Sequence, residues 1–198
     1  MRRIVKEKIE KRVVMDARAV ELAIADLAAR IRAMSDDDQL CIIGIQTGGV
    51  HLAERLVKAM ETVGFARPDF GLLDITLYRD DIFMGLQQPV VRNTDIRFDL
   101  TGRNVILVDD VLYTGRTIRA ALDALVDFGR PRRIRLAVLV DRGLREYPIH
   151  ADFVGRAINT DQNESVKVEL VEMGFDRDRV VEAQDRKSTR LNSSHATL

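Results

Sequence analysis

The sequence predicts an α/β protein in which a central, mostly parallel sheet is flanked by helices. Three apolar runs, at 40–45, 105–108 and 134–140, have the continuous hydrophobicity of strands that are buried on both faces. Segments with helical periodicity follow the first two runs and end near glycine and proline. Such alternation is typical of parallel strands joined by right-handed crossovers, whose ligands bind beyond the carboxyl ends of the strands.

The individual elements follow from local patterns. Asp16 is a suitable N-cap for a helix to about Met34, because apolar side chains recur there every three or four residues. Residues 1–12 are expected to be a solvated basic arm, and the polar passage 79–97, which lacks periodicity, a mobile functional loop. In chain order, the sequence predicts strands at 40–45, 71–78, 105–108, 134–140, 153–154 and 166–170, and further helices at 50–63 and 116–128.

The composition is that of a single globular domain. Thirty-one Lys and Arg balance 31 Asp and Glu among the 198 residues, so overall charge attracts neither nucleic acid nor an anionic membrane. The single cysteine, Cys41, excludes an intramolecular disulfide and is expected to be a buried thiol. Lacking a long apolar segment, the chain is expected to be cytoplasmic, with one domain at 1–184 and a non-native or disordered tail at 185–198.

The segment 105–117 carries the clearest chemical signal. An apolar strand runs into Asp109 and Asp110, and the polar loop 114–117 then opens a helix. Unpaired amides at a helix start, together with threonine hydroxyls and a glycine that permits close approach, suit a phosphate group. Two carboxylates beside a phosphate need sugar hydroxyls or a magnesium ion as partners. The segment has neither a Walker loop nor the dinucleotide-binding glycine pattern, and recognition of a phosphate and a polyol in one turn favours a ribose 5-phosphate.

This segment resembles the phosphoribosyl pyrophosphate (PRPP) signature of type I phosphoribosyltransferases. Further stretches, at 73–81, 124–131 and 136–149, resemble the family of bifunctional pyrimidine-operon regulators and uracil phosphoribosyltransferases (the PyrR family). The resemblance extends in order from about Asp16 to Val181. It implies a type I phosphoribosyltransferase fold with a long mobile loop and a small hood, and an enzyme that converts uracil and PRPP to UMP and diphosphate.

The resemblance also implies roles for particular residues. Catalysis would involve Asp109 and Asp110, which hold the ribose hydroxyls, and Arg79 on the mobile loop. PRPP and its 5′-phosphate would contact Asp109, Asp110, Val111, Leu112, Tyr113, Thr114, Gly115, Arg116 and Thr117; the pyrophosphate would contact Gln46, Thr47, Gly48 and Gly49; and the base would contact Val140, Asp141 and Arg142. Mg²⁺ would be carried by PRPP without direct protein ligands, and the expected assembly is a homodimer or a higher homo-oligomer.

Two alternative functions remain open. One is transfer to another base, although Tyr113 stands where enzymes for 6-oxopurines carry a third acid, which favours a pyrimidine. The other is an RNA-binding attenuation regulator that senses UMP and has vestigial catalysis. One observation counts against RNA binding: uncharged or less basic residues stand where regulatory relatives carry polar or basic ones. Several arginines keep RNA binding open, because they preserve local positive charge. The replacements are Ala25, Ala29, Gly48, Leu144 and His150, and the arginines are Arg130, Arg132, Arg133, Arg135 and Arg156.

Overall fold

The central sheet has five parallel strands. The computed structural model describes residues 11–34, 39–78 and 94–184. This sheet, with helices on both faces, confirms the predicted fold class. The helices and strands, in chain order, are β1 (Lys11–Met15), α1 (Ala17–Ala33), β2 (Leu40–Ile45), α2 (Gly48–Thr62), β3 (Asp69–Leu73), β4 (Asn104–Leu112), α3 (Arg116–Leu125), β5 (Arg133–Asp141), β6 (Phe153–Ala157), β7 (Glu164–Glu169) and β8 (Arg179–Gln184). The strands of the central sheet lie in the order β3-β2-β4-β5-β6.

Helices cover the two faces of the sheet unequally. The apolar faces of α1 and α2 pack with Ile106 and Val108 of β4, whereas α3 packs with Val105 and Leu107. Successive side chains of a strand point to opposite faces, so Ile106 and Val108 face α1 and α2, whereas Val105 and Leu107 face α3. At the start of α1, the Asp16 carboxylate accepts a hydrogen bond from the Ala19 amide at 2.8 Å, which confirms the predicted cap.

A second, antiparallel sheet joins the two ends of the described chain, in the order β1-β8-β7, and we call it the hood sheet. β7 lies near the predicted strand at 166–170, but β1 and β8 were not predicted. The expectation of a solvated arm at 1–12 is wrong for residues 11 and 12, which belong to β1. β1 pairs with a strand about 170 residues away, and local sequence patterns carry no information on such a partner.

Several predicted boundaries are wrong by a few residues. The strand expected at 71–78 ends at Leu73, where the Asp74 carboxylate accepts the Thr76 amide at 2.8 Å and a 3₁₀ turn follows. The second helix begins at Gly48 instead of residue 50, and the strand expected at 105–108 continues to Leu112. The acidic pair therefore lies within β4. Residues 79–93 and 185–198 are outside the described residues, so the roles of Arg79, the mobile loop and the tail stay predictions.

Cys41 is fully buried in β2, as predicted, and its thiol lies 3.7 Å from the Asn104 carbonyl oxygen. Burial raises the pKa of this thiol to about 12, so the group is neutral and unreactive at neutral pH. Within 11–34, 39–78 and 94–184, the helices are too short or too polar to cross a bilayer.

An ion-pair cluster fastens α2 to the segment that leads into the hood sheet. Arg55 donates from Nε to Glu172 at 2.8 Å and from Nη2 to Asp178 at 3.0 Å. Asp178 also accepts the backbone amide of Val171 at 3.0 Å. Only 19% of the Arg55 side chain and 17% of the Asp178 side chain are exposed, so solvent screens this pair less than a surface pair. These hydrogen bonds hold the pKa values of both carboxyls below their usual range.

We expect Arg55→Met to lower the free energy of unfolding by about 2 kcal/mol near neutral pH, because charged hydrogen bonds are lost. In the folded state both carboxyls have pKa values below the ordinary 3.8 and 4.5, so their contribution is complete above those values and disappears as the pH falls through the depressed ones. The difference between wild type and variant should therefore shrink at about pH 3.

Urea denaturation at both pH values measures this difference. Arg18→Met is the matched control, since Arg18 pairs with Glu21 on the exposed side of α1 and should cost little. An Arg55 effect that is equal at both pH values would contradict the ion-pair account.

Candidate functional site

The start of α2 lies against the carboxyl end of β4 because glycines remove the side chains between them. A Cβ atom on Gly49 would lie 3.0 Å from the Asp109 Cα atom, and one on Gly48 would lie 2.7 Å from the Asp110 Cγ atom. Gly44 of β2 gives the same close approach to Val50. The structure thus brings together two segments predicted separately, Gln46, Thr47, Gly48 and Gly49 on one side and the acidic pair on the other.

The two acids point to opposite faces of the sheet. Asp109 is 6% exposed and lines a pocket at the start of α3, whereas the Asp110 carboxyl lies beneath Gly48 at the start of α2. Each carboxylate accepts the backbone amide of the following residue, at 2.9 Å for Asp109 and 2.8 Å for Asp110. Burial raises the pKa of Asp110, and the hydrogen bond from the Val111 amide opposes that rise. One acid of the pair therefore lies at the start of α3 and the other at the start of α2.

The pocket at the start of α3 has a volume of about 230 Å³. Gly115 caps this helix with a φ of +92°, a left-handed conformation that favours glycine. Among the described residues, no group accepts a hydrogen bond from the amides of Tyr113, Thr114 and Gly115. Free amides, two threonine hydroxyls and the positive end of the helix dipole together suit a phosphate group. The walls are formed by Asp109, Val111, Leu112, Tyr113, Thr114, Gly115, Arg116, Thr117 and Ile118.

The three residues predicted to contact the base lie at the carboxyl end of β5, next to this pocket. Val140 is fully buried, and Asp141 accepts the Gly143 amide at 2.9 Å. The Arg142 guanidinium lies 3.9 Å above the Tyr113 ring and donates to the Thr160 hydroxyl at 3.0 Å. Arg142 thus connects the end of β5 to residues 113–117, which we call the phosphate loop, and to Thr160, which precedes β7. Their contact with a base stays a prediction.

The sequence reasoning assigned no contacts to Glu146 and Tyr147, which adjoin the phosphate loop. Arg116 donates from Nε to the Glu146 carboxylate at 2.8 Å. The Tyr147 ring centroid lies 5.5 Å from the guanidinium group of Arg116 and 5.4 Å from that of Arg119. Because about thirty residues separate these partners in the chain, no local motif could have identified the contact.

The donor atoms at this site suit Mg²⁺ only as an ion shared with a ligand. Within the described ranges there is no cluster of three or more His, Cys, Asp and Glu side chains that could hold a metal. Asp109 and Asp110 carry the hard oxygen ligands that Mg²⁺ prefers, but Asp109 faces the pocket at the start of α3 and Asp110 faces the start of α2. This arrangement fits an ion whose other ligands are substrate oxygens and water.

Comparison with known proteins places the chain in a family. The phosphoribosyl transferase domain family matches residues 14–173. The bifunctional protein PyrR of Thermus aquaticus is 52% identical over 165 residues, which cover 82% of this chain and 91% of that protein. The bifunctional protein PyrR of Thermoanaerobacter sp. (strain X514) is 48% identical over 161 residues, which cover 81% of this chain and 90% of the relative.

Solved structures resemble the fold at lower sequence identity. A hypoxanthine-guanine phosphoribosyltransferase from Bacillus anthracis str. 'Ames Ancestor' superposes with a TM-score of 0.65 and 16% identity, covering 89% of this chain and 99% of that one. For a hypoxanthine phosphoribosyltransferase from Staphylococcus aureus the TM-score is 0.62 at 17% identity, covering 83% and 85%. The geometry of the site, the domain match and the relatives agree: this chain belongs to the phosphoribosyl transferase domain family and, within it, to the PyrR family.

Proposed function

We propose that this chain is a uracil phosphoribosyltransferase, which forms UMP and diphosphate from uracil and PRPP. The observation that carries the proposal is the arrangement at the end of β4. Asp109 faces the pocket at the start of α3, and Asp110 faces the glycine-rich start of α2. A ribose bound across this strand end would place its 5′-phosphate at one helix start and its pyrophosphate at the other. The PyrR relatives support uracil as the base.

The reaction moves the ribose anomeric carbon from pyrophosphate to a ring nitrogen of uracil. The carbon–oxygen bond to pyrophosphate breaks and its electron pair stays on the diphosphate. A carbon–nitrogen bond forms, and the proton of that nitrogen passes to the diphosphate or to water. Positive charge develops on the sugar, so catalysis consists mainly of positioning and charge stabilisation. We assign the ribose hydroxyls to Asp109 and Asp110, and the pyrophosphate to the start of α2 at Gly48 and Gly49. Mg²⁺ on the bound PRPP would neutralise charge on the leaving group.

Assembly and cellular location are further parts of the proposal. The homodimer or higher homo-oligomer and the cytoplasmic location expected from the sequence both stay predictions. Neither is needed for the chemistry assigned to β4, α2 and α3.

Replacing both acids, Asp109→Asn with Asp110→Asn, should lower kcat/KM for PRPP by at least about 100-fold, because contacts to the reacting sugar are lost. The amides keep the shape of the carboxyls, so the melting temperature should change little. UMP formation and thermal unfolding are the two measurements. Asp123→Asn, on the exposed side of α3, is the control with the same charge change. Wild-type turnover in the double variant would contradict the assignment.

The choice of base is tested by supplying PRPP with uracil, hypoxanthine, guanine or orotate in separate assays. We expect uracil to have the highest kcat/KM, by at least about 100-fold, since a site built for one base leaves buried polar groups unpaired with another. Nucleotide and diphosphate are quantified together, which separates transfer from hydrolysis of PRPP. Faster turnover of a purine or of orotate would favour the alternative base.

RNA binding is the second candidate function, and the exposed surface around α1 and β6 favours a weak form of it. The Arg30 side chain donates to the Val154 carbonyl oxygen at 3.0 Å, which places α1 beside β6. Arg156 is exposed on β6, but Ala25 and Ala29 form uncharged parts of the exposed α1 surface. Leu144 and His150 are also exposed. Of these five positions, only Arg156 offers a permanent cation for phosphate contacts.

We expect the chain to bind pyrimidine-operon leader RNA weakly, with a log–log salt slope lowered by about one unit for each missing phosphate contact. Titration with leader RNA and with scrambled RNA at two salt concentrations, with and without UMP, measures affinity and specificity. Nanomolar binding that prefers the leader and is strengthened by UMP would contradict this expectation and favour the regulatory function.

A further inference from the structure

Residues 143–149, which we call the strap, cross the phosphate loop and bond to its carbonyl groups. Arg145 donates from Nη1 to the Tyr113 carbonyl oxygen at 2.9 Å. The Thr114 carbonyl oxygen accepts the amides of Glu146 and Tyr147, at 2.9 and 3.0 Å. Two consecutive carbonyls of the loop are therefore held on the side of the strap.

The direction of these carbonyls determines the direction of the neighbouring amides. In a trans peptide unit the N–H group points opposite to the C=O group. The amides of Thr114 and Gly115, which share peptide units with the bonded carbonyls of Tyr113 and Thr114, therefore point away from the strap. The walls of the pocket come from Asp109 and residues 111–118 and include none of the strap residues, so the pocket lies on the side of the loop away from the strap. By holding the carbonyls, the strap aims free amides at the phosphate pocket.

Arg145 connects the two ends of the strap to each other and to β5. Its guanidinium also donates to the carbonyl oxygens of Gly143, at 3.0 Å, and Ile149, at 2.9 Å, and to the Asp141 carboxylate at 2.6 Å. Only 17% of its side chain is exposed. A planar guanidinium can serve several fixed acceptors at once, whereas a lysine ammonium lacks that geometry. This one side chain therefore holds both ends of the strap in place.

We propose that Arg145 is a positioning residue of the phosphoribosyl site. It holds the strap so that the amides of Thr114 and Gly115 stay directed at the 5′-phosphate, and it does not touch the substrate itself. The proposal rests on the proposed function for the identity of the ligand, a phosphoribosyl group. The claim that Arg145 prearranges amides for a phosphate is tested by ligand binding as well as by turnover.

The experiment compares Arg145→Ala and Arg145→Lys with the wild type and with the control Arg67→Ala, an exposed arginine beyond α2. We expect Arg145→Ala to raise the KM for PRPP and the Kd for UMP by about 10-fold, because misdirected amides bind phosphate poorly, with a smaller change in kcat. Millimolar guanidinium chloride should restore part of the affinity, and the same concentration of sodium chloride should not. Arg145→Lys should show a smaller shift in the same direction.

Several results would overturn the proposal. One is a lowered melting temperature with unchanged KM for PRPP, unchanged Kd for UMP and no rescue, since Arg145 would then act only on stability. If Arg145→Ala does not fold, Arg145→Lys carries the test, and wild-type affinities in it refute the positioning role. If the proposed function is wrong, the wild type will not turn over uracil. Binding of UMP and of inorganic phosphate by the wild type and the variants would still decide the role of Arg145.

Discussion

The close packing of α2 on the central sheet is the constraint on which the site depends. At Gly49 the helix backbone approaches β4 so nearly that a Cβ atom would lie 3.0 Å from the Asp109 Cα atom, and at Gly44 the backbone of β2 approaches Val50 equally closely. This approach puts the positive end of a 15-residue helix at the carboxyl edge of the sheet. Bulkier residues would move the helix outward and separate the glycine-rich start of α2 from the acidic pair.

The alternation of side chains along β4 then distributes the chemistry. Asp109 faces the pocket at the start of α3, and Asp110 faces α2, although the two are adjacent in the chain. Burial disfavours the charged form of Asp110, while the amide of Val111 stabilises it. The apolar pattern suggested a strand that ends at residue 108. Such a strand would have left both acids on a loop, where no alternation would place them on opposite faces of the sheet.

Long-range contacts hold the surrounding loops in place. Arg145 joins the phosphate loop to the end of β5, Arg142 joins the Tyr113 ring to Thr160, and Arg55 joins α2 to Asp178 near the hood sheet. Each of these arginines has several acceptors and is largely shielded from solvent, so it acts as a cross-link between segments distant in sequence. The loops around the site are therefore held by side chains whose hydrogen-bond partners lie far away in the sequence.

The sequence by itself determined the α/β class, the capped first helix, the buried strands with Cys41, and the family, because hydrophobic period, capping and the acid-to-glycine motif are local properties. Only the tertiary structure decided that β4 extends to Leu112, that Asp109 and Asp110 face opposite sides, and that β1 pairs with β8. It also decided that Arg142 and Arg145 serve as cross-links. Strand pairing and the partners of a long side chain are set by residues far away in the chain, so no local pattern could reveal them.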